Sequence, residues 1–270
     1  MRIRVESPKS LIEYINIIET LRRNAGHTLW FRGCTRSNYT LKPSLYRHKK
    51  KRRIKDLVEL EYKILTRFKQ RSLPFHSNPL EHDWETLFLM QHYGIPTRLL
   101  DWTENPFIAL YFAVMNVEYE RKNKKIHYKY PASVWILDPI IWSLHALDKV
   151  GYEPEIMSTD DPEINRYIPQ RKFNSMPEKT IALYGAHNSQ RIVSQRGVFV
   201  IFGQDTSPME KQYTKYNFPT DSLIKLLIRR PVLSTMRESI LQSGITESVV
   251  FPDLEGLSQE LRRIFGFEEL

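Results

Sequence analysis

The stretch NPFIALYFAVMNV, residues 105–117, limits the fold of this chain more than any other part of the sequence. Asn105 is a favoured helix N-cap and Pro106 is favoured at the first helical position, so the stretch predicts a helix that begins at Pro106. Nearly every following position is apolar, which is typical of a helix buried on most of its surface. The apolar run 106–117 is shorter than the roughly 18 residues of a membrane-spanning helix, so we expect a core helix with a charged, solvated tail.

Polar side chains precede this helix in the segment QHYGIPTRLLDW, residues 91–102. The segment is typical of a helix end, a Gly-Ile-Pro turn and a strand. Its polar or charged residues stand next to apolar neighbours, and they are Gln91, His92, Thr97, Arg98 and Asp101. Such residues are tolerated in apolar surroundings only when they are paired. The segment therefore indicates either a network of mutually bonded side chains or a site for a ligand.

The hydrophobic periodicity elsewhere predicts helices mostly in the first half of the chain and strands mostly in the second. Further helices are expected at 8–24 with Ser7 as N-cap, 54–70, 83–94 with Asp83 as N-cap, 139–147, 231–243 and 253–264. Strands are expected at 27–33, 132–138, 180–184, 197–203 and 222–229, and a long loop at 152–179. In the helix at 54–70, Glu61 interrupts the apolar positions.

These elements predict an α+β fold with a largely antiparallel sheet. We expect one domain over residues 1–270, helix-rich in 1–122 and strand-rich in 131–270. Apolar residues make up 41% of the chain and aromatic residues 12%, enough for a substantial core. The single Cys34 excludes an intramolecular disulfide and suits a reducing compartment. The N-terminus has no hydrophobic secretory stretch, so we expect a cytoplasmic protein without a membrane partner.

The formal charge of +9 is partly concentrated in the run RHKKKRRIK, residues 47–55. One interpretation is a nucleic-acid-binding surface that grips phosphates. The other is a solvated loop and first helical turn whose charge keeps the protein soluble. The residues that would contact nucleic acid under the first interpretation are Arg47, Lys49, Lys50, Lys51, Arg52 and Arg53.

Several common catalytic motifs are missing from the sequence. It contains neither a GxGxxG nor a GxxxxGK[ST] phosphate loop, no HExxH and no GxSxG. A metal site could be drawn only from His82, His92 and a carboxylate, and we predict no metal.

Arg32 ends the apolar strand LWFRG. Its guanidinium stays charged, so it must meet an anion or a set of carbonyls. A bound pyrophosphate or carboxylate would use its planar fork well. The alternative is an internal partner such as Asp101.

Five ordered blocks resemble the FRG domain, a family named for its F/Y-R-G tripeptide and scattered through bacterial and phage genomes. The blocks are WFRG at 30–33, LKPSLYR at 41–47, MQHYGIPTRLLDWTENPFIALYFA at 90–113, RIVSQRGVFVIF at 191–202 and FPDLEG at 251–256. The resemblance runs from the first helix almost to the C-terminus. The resemblance implies that the chain forms an FRG domain, and it does not indicate which reaction the domain catalyses.

A more distant similarity is to ADP-ribosyltransferases, whose small split sheet carries three short sequence blocks. LWFRG, PTRLLDWTENPFIALYFA and VSQRGVFVIF look like those blocks. The similarity implies NAD as the substrate, with Arg32 on its diphosphate or ribose and Gln195 on its nicotinamide ribose. It also implies a ligand-binding role for further residues of these blocks and the segment before them: Phe31, Gly33, Gln91, His92, Thr97 (in the hydroxyl role), Arg98 and Trp102.

Position 195 departs from that pattern, because most ADP-ribosyltransferases carry Glu there. A carboxylate stabilises the cationic transition state of that reaction better than an amide does. Either Asp101 supplies the charge as a third catalytic residue beside Arg32 and Gln195, or the domain binds a nucleotide without turnover, or the similarity does not extend to function. Asp101 could be an acid with a raised pKa if desolvated, or it could form a salt bridge to Arg32 or Arg98.

Three functions remain open at this point. The first is an NAD- or nucleotide-handling enzyme of ADP-ribosyltransferase type, or an NAD glycohydrolase, acting as a toxin or anti-phage defence effector. The second is a nucleic-acid-interacting module or nuclease that uses the run 47–55. The third is a nucleotide-sensing domain without catalysis.

Overall fold

The computed structural model describes residues 2–75, 80, 82–123, 125–148, 155–173, 176–185 and 190–267. Its strands are β1 Arg4–Glu6, β2 Trp30–Cys34, β3 Leu99–Thr103, β4 Tyr119–Lys122, β5 Lys125–Tyr128, β6 Ala132–Leu137, β7 Ile181–Leu183, β8 Gly197–Ile201 and β9 Leu223–Ile228. Seven of them form one sheet in the order β1-β9-β6-β2-β3-β8-β7, while β4 and β5 form a separate pair. β1 pairs with β9 in parallel, and the other described pairings between these strands are antiparallel. The predicted α+β class with a mostly antiparallel sheet is confirmed.

Ten α-helices accompany the sheet in the described part of the chain. They are α1 Leu11–Ala25, α2 Ile54–Ser72, α3 Asp83–His92, α4 Pro106–Val114, α5 Pro139–Ala146, α6 Gln190–Ser194, α7 Met209–Lys215, α8 Leu233–Gln242, α9 Glu247–Val250 and α10 Leu254–Ile264. No helix among the described residues combines the length and the apolar character needed to cross a membrane.

Helix ends follow local capping chemistry, and this corrects some predicted boundaries. The first helix is capped by Ser10 rather than Ser7, because the Ser10 hydroxyl accepts from the Glu13 N–H at 3.2 Å. Asp83 is the first residue of α3 and not its N-cap. Asn105 does cap α4, accepting from the Phe107 N–H at 2.9 Å.

Two segments differ from the sequence-based expectation more strongly. α4 ends at Val114, and its predicted charged tail instead forms β4, which pairs with β5. The described part of the expected loop 152–179 contains a 3₁₀ turn at Ile164–Tyr167, while 152–154 and 174–175 lie outside the described residues.

Hydrophobic cores lie on both faces of the sheet. On one face, α1, α4 and α8 pack against the sheet. Their side chains, such as Tyr14 and Met236, contact the side chains of β2, β6 and β9 that point toward these helices. On the other face, α2, α3, α5 and α7 cover the opposite side chains, including Trp135 of β6. Burial on both faces explains why the strands read as nearly continuous apolar runs.

Gly33 allows α4 to lie directly against β2. A Cβ atom at this position would stand 2.0 Å from the Ala109 carbonyl oxygen and 2.6 Å from the Ala113 nitrogen. Backbone atoms cannot give way at such distances, so the third position of the F-R-G tripeptide needs a residue without a side chain. Gly33 therefore sets the distance between helix and strand.

Candidate functional site

The sheet opens between its two central strands, β2 and β3. Only Phe31 and Thr103 form a register pair across this boundary, whereas β2 pairs with β6 and β3 with β8 over five residues each. Beyond that single pair the two strands part, and a cleft of about 510 Å³ lies between and beside them. Its lining residues are Phe31, Arg32, Gly33, Cys34, Thr35, Tyr39, Thr40, Arg47, Gln91, His92, Asp101, Trp102, Thr103, Ile108, Phe112, Asn116, Arg191, Ile192, Gln195 and Phe199.

Arg32 spans the gap between the two strands. Its Nη1 donates to the main-chain carbonyl of Asp101 and lies 3.9 Å from Oδ2 of the same residue. The guanidinium thus takes the place of a missing ladder hydrogen bond on β3 and still lines the cleft. Of the two partners considered for Asp101, the structure selects Arg32, and the pair is loose and partly exposed.

Gln91 and Thr97 form a chain of hydrogen bonds that ends on the Asp101 carboxylate. Thr97 Oγ1 accepts from the Leu99 N–H at 3.1 Å and donates to Gln91 Oε1 at 2.6 Å. The amide of Gln91 therefore turns its NH₂ group toward Asp101 Oδ2, at 2.9 Å. Thr97 is buried and does not line the cleft, so its predicted contact with a ligand is wrong; its hydroxyl orients Gln91 instead.

Asp101 contributes the carboxylate of the cleft lining. Its side chain is 55% exposed, so the alternative of a desolvated acid does not fit the structure. The Gln91 amide and the Arg32 guanidinium hold it at the point where β2 and β3 part. A carboxylate fixed in this way can stabilise positive charge that develops on a bound ligand.

His92 lines the cleft as the last residue of α3. Burial lowers the pKa of His92, and the charge of Arg191 lowers it further, while Asp101 and Asp253 act in the opposite direction. The imidazole is consequently neutral at pH 7 and can accept a proton.

Gln195 reaches the cleft from the turn between α6 and β8, not from within a strand. Its side-chain Nε2 donates to the Val250 carbonyl at 3.0 Å, and its main-chain carbonyl accepts from Thr103 Oγ1 at 2.6 Å. These bonds tie Gln195 to the end of α9 and to β3. The amide oxygen is the part of the side chain that can accept from a ligand hydroxyl.

The remaining predicted residues at the cleft are Phe31, Gly33 and Trp102, which line it from β2 and β3. Phe31 and Trp102 are buried, so they supply apolar walls. Cys34 also lines the cleft, and burial raises the pKa of its thiol, so it is protonated at pH 7.

The structure contradicts the predicted contact between Arg98 and a ligand. It is completely buried and does not line the cleft. Its Nε donates to Glu61 Oε2 at 2.6 Å, and its backbone N–H donates to Glu61 Oε1 at 2.8 Å. The other guanidinium nitrogens donate to the carbonyls of Phe202, at 3.1 Å, and Tyr167. Arg98 therefore joins α2 to the strand region and belongs to the core.

Two arginines of the cleft were not assigned to it from the sequence. Arg191 lies on α6, and its guanidinium stacks 4.6 Å from the centre of the Phe251 ring. The spacing of four residues between Arg191 and Gln195 is a signal that could have grouped them. Arg47 was assigned to the basic run, yet it also lines the cleft. Together with Arg32, the described residues give the cleft three arginines and a single acidic residue, Asp101.

The rest of the basic run is exposed at the surface: Lys49, Lys50, Lys51, Arg52 and Arg53. Arg53 pairs with Asp56, with Nε and Oδ2 2.9 Å apart. Among the described residues, no group of three His, Cys, Asp or Glu side chains is placed to hold a metal ion.

Residues 27–122 match the family model of the FRG domain. The match includes WFRG, LKPSLYR and the whole block at 90–113, and it ends in β4. The blocks at 191–202 and 251–256 lie outside it, so an FRG domain over 1–270 stays a prediction. The comparisons with curated proteins and with solved structures each found no match to this chain.

Proposed function

Since this chain contains an FRG domain, we propose that its cleft binds an anionic nucleotide, with NAD as the first candidate, and that it is an enzyme of ADP-ribosyl-transfer type. The observation that carries the proposal is the cleft between β2 and β3, which three arginines and one carboxylate line among the described residues. Guanidinium groups bind phosphate through paired hydrogen bonds, which favours a phosphorylated ligand.

The size and walls of the cleft fit such a ligand. Ligand pockets usually measure roughly 300–1,000 Å³, and this cleft of about 510 Å³ lies within that range. Trp102, Phe112 and Phe199 give it apolar and aromatic surface for a flat base. Polar groups cluster on β2, α3 and β3, so one ligand can meet phosphate-binding and base-binding surfaces together.

The side chains suit cleavage of the bond between nicotinamide and ribose. In that reaction nicotinamide leaves with the bonding electrons, and water or an acceptor bonds to the ribose carbon and releases a proton. Asp101 would stabilise the positive charge on the ribose, and the Gln195 amide oxygen would accept from a ribose hydroxyl. His92, neutral at pH 7, would take the proton. Arg32 would hold the phosphates.

The direct test is to incubate the protein with NAD and to quantify nicotinamide by chromatography. We expect Arg32→Gln and Asp101→Asn each to lower the rate by roughly 100-fold or more, the effect of removing one electrostatic contact to a transition state. Arg36→Gln is the matched control, because Arg36 follows the same strand but pairs with Glu118 away from the cleft lining. Equal activity in the Arg32 and Arg36 variants would refute the assignment. Binding of NAD without nicotinamide release would support the nucleotide-sensing alternative.

An enzyme of this kind would act as a toxin or anti-phage defence effector by consuming NAD or by modifying a cellular target. Expression of the wild-type chain in a bacterial host should then arrest growth, and the Arg32→Gln variant should not. Growth arrest by both forms would refute this role for the cleft.

A second candidate function is nucleic-acid binding, or a nuclease, through the basic run. The observation in its favour is that residues 49–53 are all exposed. Retarded migration of DNA or RNA with a steep salt dependence would support it. Binding that survives replacement of residues 49–53 by Ser and Gln would count against it.

A further inference from the structure

Arg47 is held at the cleft by main-chain carbonyls. It ends the 3₁₀ turn Leu45–Arg47, between β2 and α2. Its Nε donates to the Lys42 carbonyl at 3.0 Å, and its Nη2 donates to the carbonyls of Lys42 and Thr40 at 2.7 and 3.1 Å. Three bonds to backbone fix the guanidinium in one orientation, so it is not a freely moving surface cation.

Arg47 has no ion-pair partner among the described residues, although it lines the cleft. The nearby Glu210 carboxylate accepts instead from the Leu41 N–H at 3.1 Å. Within the described part of the chain, Nη1 of Arg47 has no protein acceptor. A guanidinium normally meets an anion, so this nitrogen is available to a ligand.

Arg32 brings a second positive charge to the same cleft. Partial desolvation lowers the pKa of Arg47, and the neighbouring charge of Arg32 lowers it further. Asp101 lies 3.9 Å from Arg32 Nη1, and the Glu210 carboxylate raises the pKa of Arg47 by less than desolvation and Arg32 lower it. Two like charges in one cleft without a shared counter-ion are unfavourable in the free protein, and an anion bound by both reduces that penalty.

We propose that Arg32 and Arg47 together form a subsite for a diphosphate group, in which each guanidinium holds one of two linked phosphates. The inference rests on the proposed nucleotide function and specifies its ligand as a dinucleotide or nucleoside diphosphate, which carries one phosphate for each arginine. It also separates Arg47 from residues 49–53, which are exposed like Arg47 but do not line the cleft.

The test uses inorganic pyrophosphate and orthophosphate as probes in calorimetric titrations of the full chain. Arg47→Gln should weaken pyrophosphate binding by about tenfold or more, since a hydrogen bond between charged groups is lost. It should weaken orthophosphate binding less. Arg53→Gln is the matched control, because Arg53 lies in the same basic run but pairs with Asp56, and it should bind pyrophosphate like the wild type.

Several results would overturn the subsite. One is unchanged pyrophosphate affinity in Arg47→Gln, and another is an equal loss in Arg47→Gln and Arg53→Gln, which would indicate a diffuse surface charge. Arg47→Lys keeps the charge and should retain part of the affinity. An equal loss in the Lys and Gln variants together with a lowered Tm would show that Arg47 only supports its loop, and would also overturn the proposal.

The outcome for this subsite can be told apart from the outcome for NAD turnover. Arg47-dependent pyrophosphate binding in a protein that neither binds nor cleaves NAD would uphold the subsite and refute the proposed function. NAD cleavage that requires Arg32 but is indifferent to Arg47→Gln would uphold the proposed function and refute the subsite.

Discussion

Replacing Arg98 by Met should destabilise the protein strongly without affecting the cleft. Both side chains of the Arg98–Glu61 pair are completely buried, and Glu61 accepts two hydrogen bonds from Arg98. Methionine fills similar space but leaves the carboxylate with one backbone donor. Breaking a buried ion pair from one side costs about 3–5 kcal/mol, because a charge remains in the core without its partner.

The loss in Arg98→Met should depend on pH in a defined direction. A carboxylate left alone in a core can escape its charge by binding a proton. Binding that proton becomes less costly as the pH is lowered. The destabilisation by Arg98→Met should therefore shrink as the pH is lowered from 7 to 5.

Thermal unfolding followed by circular dichroism measures this loss. An unfolding entropy of about 2.1 cal/mol/K per residue gives about 0.57 kcal/mol/K for 270 residues, so a loss of 4 kcal/mol lowers Tm by about 7 °C. The double variant Glu61→Leu/Arg98→Met removes both charges and should be more stable at pH 7 than Arg98→Met alone. Arg53→Met, which breaks an exposed pair, should leave Tm unchanged.

Two results would refute this reasoning. One is a Tm shift in Arg98→Met at pH 7 no larger than that of Arg53→Met, since the pair would then not hold the core. The other is a large loss of nucleotide affinity in folded Arg98→Met, measured well below its Tm. That result would restore the sequence-based assignment of Arg98 to the ligand site.

Three further predictions concern the cleft and its supports. Gly33→Ala should cost about 3 kcal/mol in denaturant unfolding, because the new Cβ would meet the Ala109 carbonyl oxygen at 2.0 Å. Thr97→Val should cost about 1 kcal/mol and weaken nucleotide binding in calorimetry, because Gln91 loses the hydrogen bond that orients it. The His92 ring should titrate in NMR below the ordinary histidine pKa of about 6.5. Its contribution to stability is then complete above pH 6.5 and is lost as the pH falls through the lowered pKa, because the unfolded chain binds the proton first.

Each of these predictions has a control or a contradicting result. Gly197→Ala places its Cβ 3.2 Å from the Ile192 Cγ2 atom, which can shift, so it should cost less than Gly33→Ala; the reverse order would contradict the close-approach argument. Thr66→Val loses a similar hydrogen bond in α2 and should leave nucleotide affinity unchanged. A His92 titration midpoint above 6.5 would show that the carboxylates, and not burial and Arg191, control the ring.

Much of the local structure could be predicted from the sequence, because caps and periodicity act over a few residues. Asn105 and Pro106 located the start of α4 correctly, and the alternation of apolar runs identified the strands at 132–138 and 197–203. The start of the first helix was predicted wrongly, because Ser10 rather than Ser7 caps it. The polar segment 91–102 was also recognised as a unit that needed partners.

Which partners those residues take was decided only by the tertiary structure. Arg98 and Asp101 stand three positions apart and look alike as polar residues in an apolar segment, yet Arg98 enters the core and Asp101 faces the cleft. Glu61, 37 positions before Arg98, interrupts the apolar positions of its helix, and the structure shows that it is the buried counter-ion of Arg98.

The cleft itself depends on which strands become neighbours. β2 and β3 are separated by two helices in the chain, and their single register pair, Phe31 with Thr103, leaves the opening that Arg32 spans. Arg47 and Arg191 reach that opening from a turn and a short helix, and the spacing of Arg191 from Gln195 was the one sequence signal for either of them. Sequence determines what each segment can form, because local hydrogen bonds and periodicity act along the chain. The packing of distant segments determines which charges meet, because that depends on burial and shape across the whole sheet.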